Sequence, residues 1–377
     1  MSAKHPFNGQ DLANNGRALH SHIANLMSPQ SFGLAVVVAL TGLTWAAAPH
    51  AAEGVHFVHK DWELACDNTG TCRAAGFQED SAELPVSILV TRPPGPRTRP
   101  TVELMLGSYQ DHPAVTALPP NPVLTMWVNG RSLGAVRLGE SNLIGTLSPV
   151  QTAALLQALP RAQAEVSWRR GEATWAVSDQ GARAVLLKMD EAQGRLNTPG
   201  ALVARGTRDE RQVPGARPPA LLQAAAVPPT TEADRTWPAR QGPALLAALR
   251  ATVADSDCDR LLEDAPTAWE VRRLSEQQLL VSAPCWLAAY NFGAGAWVVN
   301  ERPPYAPVLV TDSASYVSDN EVTASHKGRG LGDCNSSESW VWDGQRFRRS
   351  AASTTGQCKF IGAGGAWELP TWVTRPR

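Results

Sequence analysis

The chain has 377 residues, 43% hydrophobic and only 18% charged, with 34 basic against 35 acidic side chains. That near-neutral balance excludes a general nucleic-acid binder, which needs a basic surface to displace counterions from phosphates. The 29 prolines and 30 glycines point to a protein of many turns.

The first element in chain order is FGLAVVVALTGLTWAAA, Phe32 to Ala48, seventeen residues without a charge, followed by Pro49 and the small residues of HAAEG. Lys4 and Arg17 precede it, and the pattern is that of a secretory signal cut near Ala52, with Met1 or Met27 as the start. The apolar core is shorter than the roughly 20 residues that span a bilayer comfortably, so membrane contact is expected only through an uncleaved leader. Setting residues 1–52 aside removes Lys4, Arg17 and Asp11, which leaves 32 basic and 34 acidic residues, a net charge of −2.

After the leader come short apolar runs broken by turn residues: HFVHKDWELACD, SILVTR, TVELMLG, VLTMWVNGRSLGAVRL, EVSWRR and EATWAVSD. These read as strands, and Asn129-Gly130 marks a hairpin because that pair accepts positive φ. Two helices are predicted among them. Ser148-Pro149-Val150-Gln151 supplies an N-cap, a proline at the first helical position and a glutamine that reaches back, and Pro160 stops the run. The second follows Ser178, places Ala182, Val185, Leu186 and Met189 on one face, and ends at Gly194.

From Arg205 the sequence is rich in proline, with seven between Pro214 and Pro243, and this predicts an extended spacer over 205–244. PALLAALRATVADSDCDRLL then reads as one helix. The remainder returns to strands: AWEVRRL, QLLVSAPCW, AWVVNE, APVLVTD, SWVWDGQRFRRS and AWELPTWVT, with a second hairpin turn at Asp343-Gly344. About 325 residues beyond the leader exceed one ordinary core, so two domains are expected, 53–204 and 245–377.

All six cysteines, Cys66, Cys72, Cys258, Cys285, Cys334 and Cys358, follow the leader, and an even number in an exported chain reads as disulfides. Fifteen pairings are possible, and their grouping along the chain suggests Cys66 with Cys72, Cys258 with Cys285 and Cys334 with Cys358. No C-x-x-C occurs, so neither a zinc ribbon nor a thioredoxin-type pair is indicated.

HKGRGLGDC, from His326, offers Gly328, Gly330 and Gly332 beside Lys327 and Arg329. A phosphate loop would lead from a strand into a helix, whereas strand follows here, so the stretch reads as a tight turn pinned by a disulfide. Its amides and cations leave open a nest for a small anion, with Arg346 nearby. SAPCWLAAYN offers Cys285 as a nucleophile with His326 as base and Asn335 as orienter, the parts of a thiol hydrolase. Asp255, Asp257 and Asp259 begin a calcium-loop pattern that fails at Arg260 and Pro266, where glycine and glutamate belong. His56 and His59, three apart, face opposite sides of a strand, so no metal site is expected there. No G-x-S-x-G or H-E-x-x-H motif occurs. Trp62, Trp127, Trp168, Trp175, Trp286, Trp297 and Trp340 sit in strand patterns as core, while Trp342 and Trp372 are candidates to line a groove.

Taken together, FVHKDWELACDNTGTCRAAGFQ, GARAVLLKMDEAQGRLNTPGALV, PCWLAAYN, HKGRGLGDC, WVWDGQRF and GQCKFIGAGGAWELPTWV resemble an exported bacterial six-cysteine family, domain-of-unknown-function family 1176. The N-terminal half is also similar to the invasion-associated locus B proteins, which are exported and β-rich. These likenesses imply export, six paired cysteines and two domains, and no reaction.

The sequence therefore predicts a mostly β protein with a few helices, a β-rich α+β fold in two disulfide-stapled domains of sandwich or barrel type, in the periplasm or secreted. Its expected role is a non-catalytic binding or cell-envelope interaction module without cofactor or metal. Its expected partner is an envelope protein, a glycan or a small anionic ligand, met through Lys327, Arg329, Trp342 and Arg346. The alternatives are an exported cysteine-dependent hydrolase using Cys285 and His326, and a purely structural envelope protein.

Overall fold

The structure, a computed structural model, describes residues 53–376 apart from 110, 255 and 264–267. The predicted leader, and Asp255 and Pro266 of the acidic motif, lie outside the described residues.

The first sheet has six strands in the order β1 (Val55–His59), β2 (Trp62–Cys66), β3 (Cys72–Phe77), β4 (Val86–Arg92), β5 (Thr101–Leu106) and β8 (Ile144–Thr146). A short helix α1 (Pro113–Thr116) leads to a second sheet, in which β6 (Val123–Val128) and β7 (Arg131–Arg137) are followed by β9 (Val166–Arg170) and β10 (Ala173–Val177), ordered β10-β9-β6-β7. The predicted hairpin is there: Val128 pairs with Arg131 across Asn129 and Gly130, both at positive φ. Helix α2 (Pro149–Ala158) carries the expected capping box between Ser148 and Gln151. Helix α3 (Ala182–Ala192) buries Ala182, Val185, Leu186 and Met189 as its spacing predicts.

One face of the first sheet, with Leu64, Ala74, Ile88, Val90 and Leu104, packs with the second sheet and both helices around Trp62, Trp168 and Trp175. The alternate residues Ala65, Ala75, Phe77 and Leu89 point the other way and pack on Ile361, Ala366, Trp367 and Leu369 from the far end of the chain. Burial on both faces explains why WELAC is buried at every position rather than alternately.

Beyond the proline-rich stretch, β12 (Glu270–Arg273), β13 (Gln278–Leu287), β14 (Phe292–Asn300) and β15 (Val308–Ala314) form a four-stranded antiparallel meander. A five-stranded sheet follows: β16 (Tyr316–Val317), β17 (Glu321–Lys327), β18 (Asn335–Trp342), β19 (Phe347–Thr354) and β20 (Leu369–Trp372). The two sheets enclose a cluster of Leu280, Ala296, Val298, Val322 and Trp342. The other face of the meander packs on helix α4 (Glu232–Arg250) through Leu245, Leu249, Val281, Cys285 and Trp297. The mostly β class expected from the sequence is thus the class observed.

The last turns of the chain cover the second face of the first sheet, and the described residues cluster as one compact unit. Three expectations about connections change. The 205–244 segment is docked along its length. Arg217 donates its N–H to Thr69, β11 (Ala220–Leu222) pairs in parallel with β21 (Thr374–Pro376), and Ala225 donates its N–H to Trp342. Its last third is also helical: α4 starts at Glu232, capped by Thr231 and Asp234, and breaks at Gly242, which sits at φ 52°. Pro243 opens the second piece, so one proline lies at a helix start and only Pro238 lies inside a helical run. The helix predicted through to Leu262 is divided, with α5 (Asp259–Glu263) separate. The turn at Asp343-Gly344 is a four-residue loop, Trp342 pairing with Phe347, and the Asp343 carboxylate accepts the N–H groups of Gln345 and Arg346.

Candidate functional site

All six cysteines are bridged, in the three local pairs that their grouping suggests. Cys66 faces Cys72 across β2 and β3, and Asp67 fills the turn between them by accepting from Thr69, Thr71 and Arg73. Cys285 is fully buried against Cys258, Leu249 and Trp297. Its sulfur is therefore neither free nor accessible, and the parts of the hydrolase do not converge. The His326 ring stands 5.2 Å from Trp286, its Nε2 3.2 Å from the Phe292 carbonyl. Asn335 donates from its side chain to the Gly364 carbonyl at 3.1 Å.

The glycine loop is a disulfide cradle. A Cβ on Gly328 would lie 2.5 Å from Cys334 Sγ and 3.0 Å from Cys358 Sγ. The Gly328 and Gly332 amides donate to the carbonyls of Cys334 and Arg329. Arg329 is consumed too: it forms a two-point ion pair with Asp333, at 2.7 and 2.5 Å, and stacks over Phe360 at 4.1 Å. That pairing raises the Arg329 pKa. Burial alone would push Asp333 up, but Arg329 and the Phe360 amide outweigh it and hold the carboxyl below its usual range. Lys327 and Arg346 are exposed on different elements, the first at the end of β17 beside Asn291, the second in the Asp343 loop. Trp342 is 1% exposed, in the core. The four residues singled out for binding are not brought together.

What the fold builds instead is a polar cleft of about 530 Å³ where the seam between the last two sheets runs out of apolar residues. Along one face of β18 the alternate residues read Trp342, Trp340, Glu338, Ser336, and across it on β17 they read Val322, Ala324, His326. The first members fill the seam, and the last open it. Arg349 of β19 donates to Glu338 at 2.6 Å and lies 4.0 Å from Glu53. Its Nε, shielded from solvent, has no hydrogen-bond partner. Thr311 and Ser313 of β15 form the opposite wall. His56 borders the cleft and holds Glu63 at 2.9 Å, a contact that raises its pKa although burial acts the other way.

The cleft thus combines the edge of a part-buried indole, several hydroxyls and an arginine paired with two glutamates. Sequence reasoning missed Trp340, Glu338 and Arg349. The signal available was the switch from aromatic to polar at every second residue of NSSESWVW, which marks the point where one face of a strand leaves the core.

Fold and bridges together define a β-rich protein whose three disulfides fit an oxidising, exported setting. No helix of the described residues is long and apolar enough to cross a membrane. The chain belongs to the family described as "Protein of unknown function (DUF1176)", whose model matches residues 56–374. It is 27% identical over 360 residues to the uncharacterized protein YpfG of Escherichia coli (strain K12), an alignment covering 89% of this chain and 96% of that one. The likeness to the invasion-associated locus B proteins is not shown by these matches. No solved structure matches.

Proposed function

We propose that the protein is a non-catalytic binding module of the periplasm or cell exterior, and that its polar cleft takes a hydroxyl-rich ligand such as an envelope glycan. The observation supporting this is the graded face of β18, where Trp340 stands at the mouth of a cleft walled by Ser336, Glu338, Arg349 and Thr311. An indole face stacks on the C–H face of a sugar, while hydroxyls and a paired charge satisfy its polar edge. The bridged Cys285 supports binding over thiol chemistry.

Titration of the purified protein with peptidoglycan fragments and periplasmic glucans tests the reading. Saturable binding is expected in the wild type, with loss in Ser336→Trp, which fills the cleft from an exposed strand position, and weakening in Glu338→Gln. Equal retention of all three proteins would place the ligand elsewhere, and no retention of any envelope glycan would refute a glycan ligand.

A further inference from the structure

A second cavity, of about 690 Å³, lies in the other half of the molecule between the loop after β4, the start of α2 and the turn after α3. Its apolar wall includes Leu156 and Leu202, and four arginines line it: Arg92, Arg97, Arg99 and Arg205. The only carboxylate in its lining, Glu210, is already engaged by the Arg195 guanidinium at 2.9 Å and the Gly200 amide at 3.0 Å.

Behind the wall two arginines meet two carboxylates. Arg195, fully buried, is satisfied by Gln193, Glu210, Gly95 and Thr98. Asp190, also fully buried, turns its two oxygens to the amides of Leu202 and Val203, both at 2.9 Å. Arg92 is 3% exposed, and its Nη1, 3.7 Å from Asp190, has no hydrogen-bond partner. Arg92 and Arg195 are thus offset by Asp190 and Glu210, and the three positive charges left over are those of Arg97, Arg99 and Arg205 at the solvent side of the cavity. Burial, then the charge of Arg195, brings the Arg92 pKa down to about 10, against the opposing pull of Asp190 and Glu210. Arg97, Arg99 and Arg205 are exposed, and among the described residues none of their guanidinium groups is ion-paired.

Three guanidinium groups without an ion partner beside an apolar wall offer an anion charge-assisted hydrogen bonds, and the free Nη1 of Arg92 offers one more from the buried side. We propose that this cavity binds a single-chain anionic amphiphile, its carboxylate or phosphate head held among Arg97, Arg99 and Arg205 and its alkyl stem laid against Leu156 and Leu202. Arg92 adds its charge from the buried side. Guanidinium forks suit both head groups, and the apolar wall demands a tail that inorganic phosphate lacks. The site is separate from the polar cleft and stands or falls without it.

Calorimetric titration of the full protein with decanoate, decyl phosphate, decyltrimethylammonium and inorganic phosphate tests the proposal. Binding of one or both decyl anions is expected, and which of them binds names the head group. The cation of the same chain should not bind, and phosphate alone should bind at least roughly tenfold more weakly than the decyl anions. Two variants at exposed positions keep the fold. Arg97→Ser/Arg99→Ser/Arg205→Ser should weaken the anions about tenfold or more, and Ala153→Trp, on the exposed side of α2 at the cavity, should block them. The proposal is overturned if neither decyl anion binds, if the decyl cation binds as well as the anions, or if both variants bind like the wild type.

Discussion

At the scale of single residues, position relative to the seam between sheets decides what each aromatic or ionisable group does. Trp342 and Trp340 are two apart on one strand and face the same way, yet the first is sealed by Phe347 and Ala225 and the second stands at the cleft. Trp342→Ala is expected to cost about 3–5 kcal/mol of unfolding free energy by leaving a cavity, measured by urea denaturation. An unchanged midpoint would show that the indole is not core. His56 provides a pH signature. Its folded pKa is raised above the ordinary value of about 6.5 by Glu63, so its stabilisation is full below that value and is lost as pH rises through the folded pKa. Half of the imidazole is exposed, so the effect is small, below roughly 1 kcal/mol. Denaturation midpoints of the wild type should fall slightly between about pH 6 and 8 relative to those of His56→Gln. A difference of the opposite sign would contradict the pairing.

At the scale of elements, local chemistry was readable wherever it is self-contained. The capping box before α2, the apolar stripe of α3 and the Asn129-Gly130 hairpin all depend on residues within a few positions of one another, and all are as the sequence predicts. The disulfides follow the same logic, since each closes a segment of 6, 27 or 24 residues. Removing the Cys66–Cys72 bridge as a double serine variant should cost about 2 kcal/mol, and removing Cys258–Cys285 about 3 kcal/mol, because the longer loop gains more freedom when opened. The reverse order would mean that Asp67 and its turn, not loop length, dominate. What the sequence hid depends on distant partners. The Gly328 and Gly332 loop looks like an anion cradle until Cys334 and Cys358 are placed against it. The proline-rich arm looks like a spacer because parallel pairing with β21 leaves no periodic trace in three residues. The arginine cavity was equally silent, since its lining comes from three separate stretches of chain.

At the scale of the whole molecule, the first sheet ties the two ends of the chain together. Phe77 and Leu89 are covered only when Ile361, Trp367 and Leu369 return from the other end of the chain, and Lys359 adds ion pairs to Asp61 and Asp80 at 2.7 and 2.5 Å. A fragment ending at residue 204 should therefore expose that apolar face and bind a hydrophobic dye, whereas the intact protein should not. A soluble, cooperatively unfolding fragment would show that 53–204 folds by itself, as the two-domain expectation has it. A protein proposed to work by binding has every thiol spent on structure. Non-reducing peptide mapping of protein isolated natively and alkylated before digestion checks this. The pairs Cys66–Cys72, Cys258–Cys285 and Cys334–Cys358 and no alkylated cysteine are expected. Alkylated Cys285 in the native protein would contradict it and return thiol catalysis to first place.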